Sequence, residues 1–282
     1  MDSPTKRGVF DDLVDKRVFI DRGIFGASSS ELPIFRSLTK VNNIPILSSG
    51  SLYGRMATGI WKLTGNPVCI QYALVSKFPR VPPVKIVLDS EATPLTGAQV
   101  ELLCDDILPG CERLEVSSAE LTADLTAISV GDLRRQAIHR ARCTKLLGMP
   151  ETGTTYYIGS RKSAWQSKFY DKADGLVRVE FTLRRAFLKP KKIRSPAELL
   201  KLRSQDLNEL VSFRKISTRR LELATESWSP GSKAMLQDFV AFLHPPEQLI
   251  RLLRANNIPI ESVLRPSEVH ARVQGMIDNL YW

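Results

Sequence analysis

Apolar and polar positions alternate most cleanly between Val177 and Arg184. There Val177, Val179, Phe181 and Leu183 fall on one parity and Arg178, Glu180, Thr182 and Arg184 on the other. Residues two apart in a strand share a face, so this run predicts a strand with an apolar side and a charged side. Two runs just upstream divide in the same way. In "TTYYIGSRKS" (154–163), Tyr156 and Ile158 take the inward parity, while Tyr157, Gly159, Arg161 and Ser163 take the outward one. "KFYDK" sets Lys168, Tyr170 and Lys172 opposite Phe169. Short connections make these three strands antiparallel neighbours. In "AELTADL" (119–125), Leu121, Ala123 and Leu125 oppose Glu120, Thr122 and Asp124.

Elsewhere "RVFIDRGIF" (17–25), "CIQYALVSKF" (69–78) and "VKIVLD" (84–89) read as strands. Helical spacing marks "TGAQVELLCDDIL" (96–108) and "SVGDLRRQAIHRARCTKLLG" (129–148). Ser129 with Asp132 resembles a capping box at the start of the second helix, and Gly148 stands where a terminating glycine belongs. Proline and a cation run in "LKPKKIRSP" (188–196) separate the strands from helical segments that continue to Trp282. Among these, "PPEQLIRLLRANNIPIESVLRP" (245–266) reads as a helix pair joined by "NNIP", either ordinary packing or a helix-turn-helix. The expected fold is therefore α+β. An antiparallel sheet carries strand–helix units on one face and a polar, catalytic face on the other, with a helical C-terminal region. Residues 1–190 would form the first unit, with its motif-bearing core at about 115–190, and residues 191–282 the second.

Charge changes the picture through its distribution. The formal net charge is +10, and residues 140–220 hold 20 Lys/Arg against 7 Asp/Glu. A polyanionic partner is favoured. Six phosphate contacts from these cations would make affinity fall about a thousandfold from low to moderate salt. Cys69, Cys104, Cys111 and Cys143 form no CxxC pair, which suits buried thiols in a reducing compartment. The N-terminus has no apolar signal core and the chain no run of about 18 apolar residues, so a cytoplasmic location without membrane insertion is expected.

The residue types on the outward parity suggest chemistry. Carboxylates (Glu120, Asp124, Glu180), cations (Arg161, Lys162, Lys172, Arg178) and tyrosines lie within about 65 residues. Metal-assisted phosphoryl transfer to a tyrosine needs these groups. His139, His244 and His270 form no HxH or HxxxH pair, so a divalent ion would need carboxylates, which suit Mg²⁺ or Mn²⁺. Glu120 and Asp124 lie roughly 13 Å apart along a straight strand, whereas a neighbouring strand is only about 5 Å away. Glu180 with one of the other two is the expected ligand set. Tyr170 is the first candidate nucleophile, because cations at Lys168 and Lys172 would lower a phenol pKa from about 10. Tyr157 is the second, since Gly159 beside it leaves room for a phosphate backbone. Arg161, Lys162, Ser163, Lys168, Arg184 and Arg185 are candidate phosphate contacts. Arg178 would stabilise a transferring phosphoryl group or pair with a carboxylate.

"TTYYIGSRKS", "FYDK" and "RVEFTLRR", in that order, resemble the replication initiation factor family of rolling-circle plasmids and integrative elements, and "AELTADL" resembles its upstream acidic strand. Ala119 stands where that strand would have an arginine. The resemblance covers about residues 115–190 and implies a sequence-directed DNA nickase and ligase. In that chemistry a tyrosine attacks a phosphodiester, forms a 5′-phosphotyrosine link and frees a 3′-OH for priming. Implied partners are an origin, single-stranded or cruciform, with a homodimer partner and a host helicase. A non-catalytic DNA-binding or regulatory descendant and a mobilisation relaxase are the alternatives. A tyrosine recombinase would require His139, Arg142 and Tyr170 to converge on one phosphate.

Overall fold

The structure is a computed structural model. It describes residues 16–27, 37–45, 53–72, 82–90, 95, 99–100, 102, 106, 114–149, 153–172, 175–199, 201–241 and 246–278. The fold is mixed α+β, dominated by one antiparallel sheet.

Ten strands make that sheet: β1 (Lys16–Ala27), β2 (Leu38–Pro45), β3 (Arg55–Trp61), β4 (Pro67–Tyr72), β5 (Val84–Asp89), β6 (Leu114–Leu125), β8 (Thr144–Met149), β9 (Gly153–Ile158), β10 (Trp165–Lys172) and β11 (Leu176–Arg184). Their order is β2-β3-β4-β5-β1-β6-β11-β10-β9-β8. The chain's first described strand thus lies between β5 and β6. A second, three-stranded sheet is formed by β7 (Ala137–His139), β12 (Val211–Ile216) and β13 (Leu264–Pro266), in the order β13-β12-β7.

The expected strands at 17–25, 69–78 and 84–89 correspond to β1, β4 and β5; residues 73–78 of the second lie outside the described residues. Of the helix expected at 96–108, the described residues Gln99, Val100, Leu102 and Asp106 are helical. The helix expected over 129–148 is shorter. Helix α1 spans Val130–Gln136, and both halves of its predicted Ser129/Asp132 capping box are present. Ala137 then turns extended, with φ −74° and ψ 119°, and β7 pairs with Val211–Phe213. "TKLLG" becomes β8, at the edge of the large sheet, so Gly148 is a strand residue and caps no helix. Pairing with distant segments overrode local helix propensity here.

After β11 come α2 (Arg185–Leu188), α3 (Pro196–Leu199), α4 (Ser204–Asn208), α5 (Thr218–Ala224), α6 (Pro230–Ala241), α7 (Pro246–Ala255), α8 (Ile260–Val263) and α9 (Glu268–Asp278). The C-terminal region is helical as expected, but β12 and β13 run through it. "NNIP" does join two helices. Asn257 takes a left-handed φ of 57°, and Ile258 N–H closes back on the Leu253 carbonyl at 2.9 Å, as a helix-terminating motif requires. The second member, α8, is a single turn that runs into β13, which is too short for a recognition helix.

The apolar parity of the sheet forms the main core. Leu121, Ala123, Val179, Phe181, Leu183, Phe169, Tyr156 and Ile158 are buried there together with Leu133, Phe213, Val269 and Val273. Helix α1 packs on β9, β10 and β12, and α9 on β1, β6 and β12. Phe169 lies 5.9 Å from the Tyr156 ring and 5.6 Å from the Phe213 ring, linking the large sheet to the small one. A separate cluster of Leu221, Leu236, Leu253, Ile258 and Val263 holds α5–α8 together.

Candidate active site

Register fixes which polar side chains meet. Across β6, β11, β10 and β9, one row reads Asp124, Arg178, Tyr170, Thr155; the next reads Thr122, Glu180, Lys168, Tyr157; a third reads Glu120, Thr182, Gln166. Directly opposed residues in a sheet stand about 5 Å apart at Cβ. The predicted parity thus becomes a compact patch on the face away from the helices.

The patch is deeper than alternation implied. Asp124, Arg178 and Glu180 were expected on an outward, charged face, yet only 3%, 7% and 1% of their surfaces are exposed. A strand's periodicity tells which side a residue takes; it does not tell what its neighbours cover. Burial of charge is tolerated only with partners, and these are present. Arg178 grips Asp124 with two bonds, Nε to Oδ1 at 2.7 Å and Nη2 to Oδ2 at 2.9 Å. Lys172 reaches Asp124 Oδ2 at 3.4 Å. Lys168 Nζ lies 2.5 Å from Glu180 Oε1. Burial alone would push the Asp124 carboxyl up; the bonds and charges of Arg178, then Lys172, outweigh it and hold it below the usual carboxylate range.

Of the two candidate tyrosines, Tyr170 is the one in contact with a carboxylate. Its hydroxyl donates a long hydrogen bond, 3.4 Å, to Glu180 Oε2, and Lys168 Nζ stands 5.3 Å from its ring centre. Tyr157 is on the same face, opposite Lys168 and Lys145 on its two sides. Gly159 serves its own turn. Its φ is +84°, and a Cβ there would meet the Trp165 carbonyl at 3.0 Å.

The remaining predicted cations divide. Arg161 and Lys162 are exposed at the tip between β9 and β10. There Ser163 and Ser160 bond hydroxyl to hydroxyl at 2.8 Å, and Arg184 donates to the Ser163 carbonyl at 3.0 Å. Arg185 is turned to an exposed pair with Glu115 at 2.7 Å. His139 lies in β7 of the small sheet and Arg142 in the segment before β8, while Tyr170 is in β10 of the large sheet.

Glu180 registers opposite Thr122, so Glu120 and Asp124 are both diagonal to it, on either side. Among the described residues no group of three His, Cys, Asp or Glu side chains comes together as a metal cage. Both Asp124 oxygens are taken by Arg178, which makes Asp124 the poorest ligand of the three. Glu120 receives one bond, from the Thr182 hydroxyl at 3.3 Å. The Thr122 hydroxyl is buried without a hydrogen-bond partner among the described residues. Sequence reasoning passed over Thr122 and Thr182, although their parity on β6 and β11 was the signal.

No protein-family model matches the chain, and no curated protein sequence does. Among solved structures, the rolling circle replication initiator protein from Geobacillus stearothermophilus aligns with a TM-score of 0.46 at 12% identity, over 72% of this chain and 88% of that one. No helix among the described residues is long and apolar enough to cross a membrane.

Proposed function

We propose that this protein nicks and rejoins DNA through a phosphotyrosine, as an initiator of rolling-circle replication. The observation that carries the reading is the Tyr170 hydroxyl held against Glu180 on a sheet face lined with cations. Glu180 accepts the phenolic proton as the oxygen attacks phosphorus. A bond forms between the Tyr170 oxygen and the 5′-phosphate, the P–O3′ bond breaks, and the leaving 3′ oxygen takes up a proton. Lys168 and Lys172 flank the attacking oxygen on β10, where they would offset charge gathering on the phosphoryl oxygens. Arg178 fixes Asp124 and lends its charge to the same row. Arg161 and Lys162 at the β9–β10 tip are the proposed grip on the DNA backbone, with Ser163, Arg184 and Arg185 behind them.

A Mg²⁺ or Mn²⁺ ion would be held by Glu180 and Glu120, with the Thr122 hydroxyl on the same face, and would supply positive charge to the phosphate. Closing the return reaction with the free 3′-OH rejoins the strand and needs no further cofactor.

The test is incubation with a supercoiled plasmid carrying the cognate origin, with Mg²⁺ or Mn²⁺ present, followed by mass spectrometry of the trapped peptide. Relaxed plasmid and a nucleotide adduct on Tyr170 are expected. An adduct on Tyr157 would move the nucleophile one strand over. Tight origin binding with neither relaxation nor adduct would leave a non-catalytic DNA-binding protein instead.

A further inference from the structure

A second site lies away from the polar sheet face. Between the small sheet and α7–α8 opens a cleft of about 780 Å³, within the range of small-ligand pockets. Four arginines line it from three directions: Arg140 just after β7, Arg214 on β12, and Arg251 with Arg254 on α7. Positions three apart on a helix share a face, so the last two point together. None of the four makes a salt bridge or hydrogen bond to another described residue, in contrast to Arg178, Arg185 and Lys191, which all do. Four guanidinium groups in one concavity outnumber the two carboxylates, Glu209 and Glu261, among its described lining residues, and an anion carrying several charges relieves that field.

Two features decide what kind of anion. Among the described residues no Phe, Tyr or Trp lines the cleft, so they offer a single strand no stacking platform of that kind. Glu209 and Glu261 share the wall with the arginines, and would repel a continuous phosphate backbone. Glu261, and Glu209 beyond its bond to Lys191 at 3.2 Å, can accept from hydroxyl or amino donors of a ligand whose phosphates meet the arginines. Ile138, Ile250 and Leu264 also line the cleft and add apolar surface for a base. We infer that this cleft binds a nucleoside di- or triphosphate, its phosphates on Arg140, Arg214, Arg251 and Arg254. The inference stands apart from the nicking reading, since no residue of the polar sheet face lines the cleft.

Isothermal titration of the full chain with ATP, GTP, AMP, adenosine, pyrophosphate and a 20-nucleotide single strand tests it. Saturable binding of ATP or GTP is expected, weaker by about tenfold or more for AMP and absent for adenosine, as lost charge-assisted bonds dictate. Arg214→Gln with Arg254→Gln should weaken the triphosphate at least about tenfold. Arg251→Gln, on an exposed helix position, should weaken it too, and serves if the double variant fails to fold. The proposal is overturned if neither triphosphate binds at millimolar concentration, or if the folded variants bind it unchanged. It is also overturned if the variants lose the oligonucleotide while triphosphates fail to compete for it. Nicking assays on the same variants are scored separately, so failure of either reading is visible without the other.

Discussion

Tyr170→Phe removes one oxygen and leaves the ring beside Lys168, so it separates chemistry from architecture. Covalent capture of DNA should vanish while filter binding to the origin changes little; a variant that still forms the adduct hands the role to Tyr157. Glu180→Gln should likewise cut the nicking rate, by about a hundredfold or more if the carboxylate is the base. Arg178 and Asp124 behave differently, because their bond is buried. Arg178→Ala strands a carboxylate and should cost about 3–5 kcal/mol in urea unfolding, whereas replacing both by apolar residues of similar size should cost far less. Equal losses in the single and paired variants would contradict that. At this scale much was legible in the sequence: parity alone sorted Glu120, Asp124, Tyr170, Arg178 and Glu180 onto one side. The depth of Asp124 and Glu180 was not, since it depends on neighbours from other strands. Nor were the cleft arginines, which stand at 140, 214, 251 and 254 and meet only through packing.

Strands carrying both parities were readable because alternation is a strictly local signal, as β6, β10 and β11 show. Segments whose state depends on a distant partner were not. Residues 137–149 have helical spacing, yet β7 needs β12, about seventy residues later, and β8 needs β9. Of the two local chemical signals on this segment, the Ser129/Asp132 box formed, whereas Gly148 fell in β8 and caps no helix. Ser129→Ala should therefore cost about 1 kcal/mol. The β9–β10 turn sets a second element-scale expectation. With Gly159 at φ +84° and the Trp165 carbonyl 3.0 Å from any added Cβ, Gly159→Ala should destabilise by about 1–2 kcal/mol or more. Thermal unfolding that matches the parent protein would show that the turn yields instead.

Acidification should weaken the whole molecule in two stages. Burial, and secondarily the charge of Arg214, push the His270 imidazole below its ordinary value. The unfolded chain then binds more protons below about 6.5, and stability falls as pH drops from there through the folded value. Asp124, held low by Arg178 and Lys172, contributes fully above about 4 and is lost as pH falls through its depressed value. His270→Gln should erase the upper stage of a stability-against-pH curve and leave the lower; a curve of unchanged shape would refute the assignment. One feature of the strand order reaches further still. Because β1 is hydrogen-bonded to β5 on one side and β6 on the other, the earliest described strand of the large sheet waits for partners some sixty to a hundred residues downstream. It acts as a keystone between the two halves of the sheet, and such distant pairing slows folding. Deleting it should split the sheet into two ribbons, each with a raw, sticky border exposed to its own kind, and self-association should follow.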